Sequence, residues 1–247
     1  MATAPRRRPR RPPWAFLLVA GAGLTMVIAR RIRLRQDAAR DDERPADLGF
    51  MRAIHAGLRR DAARLEALAP QVERRGGAPA DMLTGWTTFR QVLHVHHGAE
   101  DEDLWPALRG HLTEEADRHQ VDLMVEEHRG LTAAIDAVDA ALASGVEVTA
   151  AARELGSVLG AHLDHEEQRV FPLLERHLSR REWRRFLRTE RGRRSPRERP
   201  EFLTWVLDDA SEQNAAAVWS ELPRPAHLVY RFVLRPRYEA QRRWQPA

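Results

Sequence analysis

The 247-residue chain contains no cysteine and no lysine. The first absence removes disulfides, thiolate metal ligands and cysteine nucleophiles. It leaves the compartment open, because exported proteins can also lack cysteine. The second makes all 40 basic side chains arginine, which reads as a bias of composition rather than a mechanism. No β-branched alternating run of strand length stands out, and no nucleotide-binding loop or nucleophile motif is present. With 43% hydrophobic residues the chain can still bury a core. Its length suits one bundle of ordinary domain size with additional segments.

The net charge of +4 conceals an uneven distribution. Residues 1–44 hold 11 arginines against 4 acids, residues 45–178 hold 13 against 23, and residues 179–247 hold 16 against 9. An acidic middle suits a cation site. Basic ends suit an anionic surface such as phospholipid, or simply solvate exposed helix faces. No nucleic-acid partner is expected.

Along the chain, residues 1–13 form a basic tail and residues 14–29, WAFLLVAGAGLTMVIA, an uncharged apolar run between arginine clusters. Its 16 residues would span roughly 24 Å as a helix, short of a hydrocarbon core of roughly 30 Å. Ile32 and Leu34 can extend it while the neighbouring arginines snorkel. We read it as a single-pass transmembrane helix at the cell membrane; a cleaved signal peptide and a start at Met26 are the alternatives. Arginine counts on the two flanks are nearly equal, so the side of the membrane stays undetermined. Residues 30–46 are a polar linker.

From Asp47 a helical period takes over through Phe50, Met51, Ile54, Leu58, Leu65 and Leu68, and Pro70 with the Gly76–Gly77 pair closes the segment. Further helices are expected from about Asp81 to Leu108, Thr113 to Ala143 and Thr149 to His177, with Ser144–Gly145 as a break. The fold class is therefore all-α. Four long amphipathic helices with short connections indicate an antiparallel up-down-up-down bundle over residues 47–178. Residues 179–247 form a basic helical C-terminal extension. Its last stretch, AHLVYRFVLRPRYEAQRRW, interleaves arginine with apolar residues, and either lies on a membrane or packs across the bundle.

The bundle repeats itself. MRAIHAGL at 51–58 matches MVEEHRGL at 124–131, and VLHVHHGAEDEDLWPAL at 92–108 matches VLGAHLDHEEQRVFPLL at 158–174. His96 aligns with His162, Glu100 with Glu166, Asp101 with Glu167, Trp105 with Phe171 and Pro106 with Pro172. Residues i and i+4 share a helix face, so each His-x-x-x-Glu offers one imidazole nitrogen and one carboxylate to a site beside its helix. His55 and His128 add a nitrogen each from the other two helices. Four histidines and two glutamates, His55, His96, Glu100, His128, His162 and Glu166, then converge as candidate metal ligands. A carboxylate can bridge two cations. The mixed set suits two six-coordinate ions completed by solvent, iron best and manganese or zinc less specifically. Leu104, Trp105, Val170 and Phe171 would wall the site. His94, His97, His111, His119, His165, His177 and His227 are left as non-ligands; His94, His97 and His165 lie near enough to be outer partners.

In these residues the sequence resembles the hemerythrin-like (HHE cation-binding) domain family over about 47–178. Its most specific feature is His-x-x-x-Glu-[Asp/Glu]-x-x-aliphatic-aromatic-Pro, present twice. The resemblance implies a four-helix bundle with a non-haem di-iron centre and the six residues above in ligand positions. The oxygen-carrying hemerythrins have a second histidine four residues after that of the third helix. Thr132 stands there, so one nitrogen is missing, which argues against simple reversible oxygen carriage. The expected function is a di-iron protein that binds or senses oxygen, nitric oxide, peroxide or iron itself. The alternatives are a di-iron enzyme that decomposes peroxide or reduces oxygen, and metal storage or a structural ion.

Overall fold

A computed structural model of the chain describes residue 36 and residues 40–244. The apolar run at 14–29 lies outside the described residues. Among those described, no helix is long and apolar enough to cross a membrane. The chain divides into Met1–Arg44 and Pro45–Ala247, and the second unit carries everything below.

The two longest helices end where the chain adopts a backbone that other residues resist. Helix α1, Gly49–Arg75, stops at Gly76, and α4, Glu115–Ser144, stops at Gly145; both glycines take a left-handed φ, 71° and 72°. A β-carbon in that region costs about 1–2 kcal/mol. At Gly145 it would also meet the carbonyl carbon of Gly76 at 3.0 Å, because the two turns touch. Pro70 does not close α1, contrary to expectation: the helix carries it inside and runs five residues further to the glycine cap. Helix α2 is Ala80–Ala99 and α5 is Val148–His165. Each continues through a single π turn, Glu100–Leu104 and Glu166–Val170, into a short helix, α3 (Trp105–His111) and α6 (Phe171–His177). Connections of three or four residues join the four long segments, which turns the chain back each time.

Two apolar clusters fill the bundle, and every long segment passes from one to the other. On α1, Met51 belongs to one cluster and Leu58 and Leu65 to the second; on α2, Leu93 belongs to the second and Ala99 to the first. Helix α4 passes from Met124 in the first to Leu131 in the second, and α5 leads from Leu159 in the second, through its π turn, to Val170 in the first. Successive segments are therefore antiparallel. At every crossing stands a histidine: His55, His96, His128 and His162.

The remaining helices lie against this bundle. Helix α7, Arg180–Gly192, starts with a capping box in which the Ser179 hydroxyl accepts from the Glu182 N–H and the Glu182 carboxylate accepts from the Ser179 N–H. This satisfies two donors that a helix start leaves open. Trp183, Phe186 and Leu187 of α7 join the first cluster. Trp205 and Val206 of α8 (Glu198–Val206), Val218 of α9 (Glu212–Ser220) and Trp244 join the second. Residues 193–197 form the turn between α7 and α8. The last segment, α10 (Ala226–Val229), a π turn at Tyr230–Leu234 and α11 (Arg235–Glu239), packs Tyr230 and Tyr238 against the core. It leaves Leu228, Val229, Phe232 and Val233 exposed.

Candidate metal centre

The two His-x-x-x-Glu turns owe their shape to a proline. Each glutamate opens a π turn, closed by the N–H of Trp105 on the Glu100 carbonyl and of Phe171 on the Glu166 carbonyl. Pro106 and Pro172 follow at once. A proline donates no hydrogen bond and its ring crowds the carbonyl four residues back. Widening the preceding turn by one residue relieves that crowding, and π turns of this kind gather at functional sites. The third π turn, Tyr230–Leu234, stands at the same distance before Pro236. Buried aliphatic and aromatic residues close each metal-facing turn, Leu104 and Trp105 in one, Val170 and Phe171 in the other.

The six expected residues come together between the two apolar clusters. Glu100 and Glu166 are fully buried, and His55, His96, His128 and His162 are at most 5% exposed. Glu100 lies between two helices' histidines, Oε1 3.3 Å from His96 Nε2 and Oε2 3.6 Å from His128 Nε2. Glu166 Oε2 does the same, 3.2 Å from His55 Nε2 and 4.0 Å from His162 Nε2. Ligand atoms of His55, His96, Glu100 and Glu166 lie within 4.8 Å of one another, and so do those of His128, His162 and a further residue, His97.

The far nitrogens explain why the near ones point inward. His55 Nδ1 is bonded to Glu167 at 2.9 Å, His128 Nδ1 to Asp101 at 2.8 Å and His162 Nδ1 to Glu127 at 2.9 Å. A carboxylate at Nδ1 keeps the proton there and leaves the Nε2 lone pair for a cation; it also fixes the ring. Asp101 and Glu167 are the acids that directly follow Glu100 and Glu166. Each reaches across to the histidine of another helix, so the acidic sixth position of the repeated motif is an orienting position. Glu127 also receives His165 Nδ1 at 2.7 Å. Burial acts to raise Glu127, and hydrogen bonds from His162 and His165 outweigh it and hold it low. In Glu167 burial is likewise outweighed, by His55 and Arg59, and the group sits at about 2.

The centre itself is short of partners. Nine buried atoms make no hydrogen bond: Nε2 of His55, His96, His97, His128 and His162, and both carboxylate oxygens of Glu100 and Glu166. A buried polar group left without a partner costs about 1–3 kcal/mol. Burial, then Glu166 and Asp101, push Glu100 well above the usual carboxylate range. Burial and then neighbouring imidazoles hold His96 and His97 well below the usual histidine range. Burial also acts to lower His55, but Glu166 and Glu167 outweigh it and raise it. A divalent cation reverses this arrangement, since it gives every lone pair a partner and favours the ionised carboxylates. The residues present fit such a group.

His97, left among the non-ligands, lies grouped with His128 and His162, and Glu127 was not singled out at all. His94 and His119 are exposed; His111 bonds Glu182 at 3.0 Å and His227 stacks on Trp219 at 3.8 Å between centroids. Beside His97 and His128 a cavity of about 810 Å³ opens, lined also by Arg90, Asp101, Arg129 and Thr132.

Compared with known families, the chain matches the model described as the hemerythrin HHE cation binding domain over residues 47–174, just over half its length. No curated protein and no solved structure gives a match.

Proposed function

The chain belongs to the hemerythrin HHE cation-binding domain family, and from that premise we propose that it is a non-haem di-iron protein that binds or senses a small oxidant or gas: oxygen, nitric oxide or peroxide. One observation carries the reading. Two fully buried carboxylates, with no other partner, each stand between a histidine of their own helix and a histidine of another. Carboxylates so placed would serve two cations together with these histidines, and nitrogen and carboxylate donors together suit iron. Iron held there would supply redox-active binding of a small molecule.

The chain's own residues would do the rest. Asp101, Glu127 and Glu167 hold three imidazoles in orientation. Val170, Phe171, Leu104 and Trp105 exclude bulk water. The cavity at His97 and His128 gives small molecules a way in from solvent. Membrane attachment through residues 14–29 is a second part of the proposal, supported by the uncharged run and its arginine flanks; carbonate-resistant pelleting of the full chain tests it.

The functional test is a titration of the reduced, iron-loaded protein with oxygen, nitric oxide or peroxide, followed by its visible spectrum and paired with a turnover assay. Saturable spectral change without sustained turnover is expected. Sustained peroxide or oxygen consumption would assign the enzyme alternative. Iron uptake with no response to any of the three would leave storage or a structural ion.

A further inference from the structure

We propose that His97 is a metal ligand, the third imidazole of the cation held by His128 and His162, and that it supplies the nitrogen which Thr132 does not. The inference rests on the two-cation reading above and adds a ligand that the i,i+4 pattern does not contain.

Four observations point the same way. His97 is 9% exposed and its Nε2 is buried without a partner. A ring nitrogen of His97 lies within 4.8 Å of ligand nitrogens of both His128 and His162. Its ring stacks on His128, 3.8 Å between centroids and 10° from parallel. And Thr132, the residue four after His128, turns its hydroxyl back to donate to the His128 carbonyl at 3.0 Å, so it offers the centre nothing.

The repeat sharpens the case. Position 97 in the first copy corresponds to Leu163 in the second, which is fully buried in the core. Packing alone is served by leucine at that place. An imidazole there introduces a buried nitrogen that costs free energy unless something meets it. Helix geometry shows how two adjacent residues can both be ligands. Residues i and i+1 point about 100° apart, so His96 and His97 cannot face one cation side by side but can face two cations lying next to each other. The ligand groups divide accordingly, His96 with His55 and His97 with His128 and His162. Glu100 and Glu166 stand between them. The two cations are then inequivalent, one with two imidazoles and one with three.

The test uses the full-length chain loaded with ⁵⁷Fe(II), with iron per chain and Mössbauer spectra read on the wild type, His97→Gln, His94→Ala and the double variant His97→Gln/Thr132→His. Wild type should hold two irons that give two distinct quadrupole doublets. His97→Gln should lose about one iron per chain or alter one doublet alone. His94→Ala, an exposed neighbour on the same helix, should match wild type. The Thr132→His change should return the lost nitrogen from the other side of the open cavity and restore the site. Two irons and both doublets unchanged in His97→Gln would overturn the proposal while leaving the di-iron reading intact. A wild type that takes up no iron would overturn both. Should His97→Gln fail to fold, X-ray absorption on the wild type decides: five imidazoles per two irons support the proposal and four contradict it.

Discussion

The two copies of the His-x-x-x-Glu turn, 96–106 and 162–172, share a backbone and differ in what holds it. Both have a π turn that begins at the glutamate and ends ahead of an aromatic–proline pair, and both use the next acid to orient a histidine on another helix. In the second copy that acid, Glu167, is also bound by Arg59 at 2.7 Å and approached by Arg52 at 3.6 Å, both from α1. In the first copy Asp101 has His128 and borders the cavity. The support comes instead from the chain after the bundle, where Arg193 bonds Asp103 at 2.6 Å and approaches Glu102 at 2.9 Å. One copy is thus braced inside the bundle and the other from the C-terminal extension, and the second brace leaves an open flank at His97 and His128. A duplicated motif can keep its ligand geometry and specialise its surroundings.

Breaking the shared part should have the largest effect. Glu100→Ala and Glu166→Ala each remove a carboxylate that faces both histidine groups, and each should reduce bound iron from two per chain to one or none by metal analysis. If either variant keeps full stoichiometry, that residue is not a bridge.

Breaking the differing part should have a smaller effect and an unequal one. Asp101→Asn and Glu167→Gln should each weaken iron binding by about 10–100-fold, the usual cost of losing a partner behind a metal-bound histidine, measured by competition with a chelator. Glu167→Gln should also leave a mark on acid stability of the metal-free chain. Its pKa is depressed to about 2, so its contribution is fully present above the ordinary glutamate value near 4.3 and is lost as pH falls toward 2. Glu167→Gln should flatten that part of the acid limb of a denaturation curve. An identical acid limb in wild type and variant would show that Arg59 and His55 add nothing there.

The smallest effects compare the glycines of the other repeat. Gly57 and Gly130 align in sequence, yet a β-carbon on Gly57 would lie 2.7 Å from the Trp205 ring, and one on Gly130 meets nothing. Gly57→Ala should therefore destabilise by about 1–3 kcal/mol through overpacking. Gly130→Ala should stabilise by about 0.4–1 kcal/mol through the unfolded chain. Urea denaturation separates the two signs, and equal effects would mean that Trp205 is not seated on α1.

Much of this was legible in the sequence for identifiable reasons. The i,i+4 spacing and its duplication brought six residues to one place, and Gly145 and the Gly76–Gly77 pair marked true helix ends. Other features leave weaker traces. A π turn adds one residue to a helix without disturbing its apolar period, and the proline beyond it was the only sign. His97 sits one residue from His96, outside any one-face pattern. Glu127 acts on His162 and His165 of another helix, which no local rule pairs. Pro70 looked like a helix end because local propensity favours that, while the packing of Leu68, Ala69 and Val72 in the core carries the helix past it. The extension's tryptophans, Trp183, Trp205 and Trp244, found their partners through long-range packing that residue order does not announce.

On the proposed reading, the polar layer between the two apolar clusters holds cations. Iron analysis of the full-length protein after ferrous loading, paired with melting curves before and after complete chelation, tests it most directly. Cation bound only by the folded state at a hundred times its dissociation constant adds about 2.7 kcal/mol. The account predicts two irons per chain and a clear fall in melting temperature on their removal; no bound iron and an unchanged melting curve would contradict it.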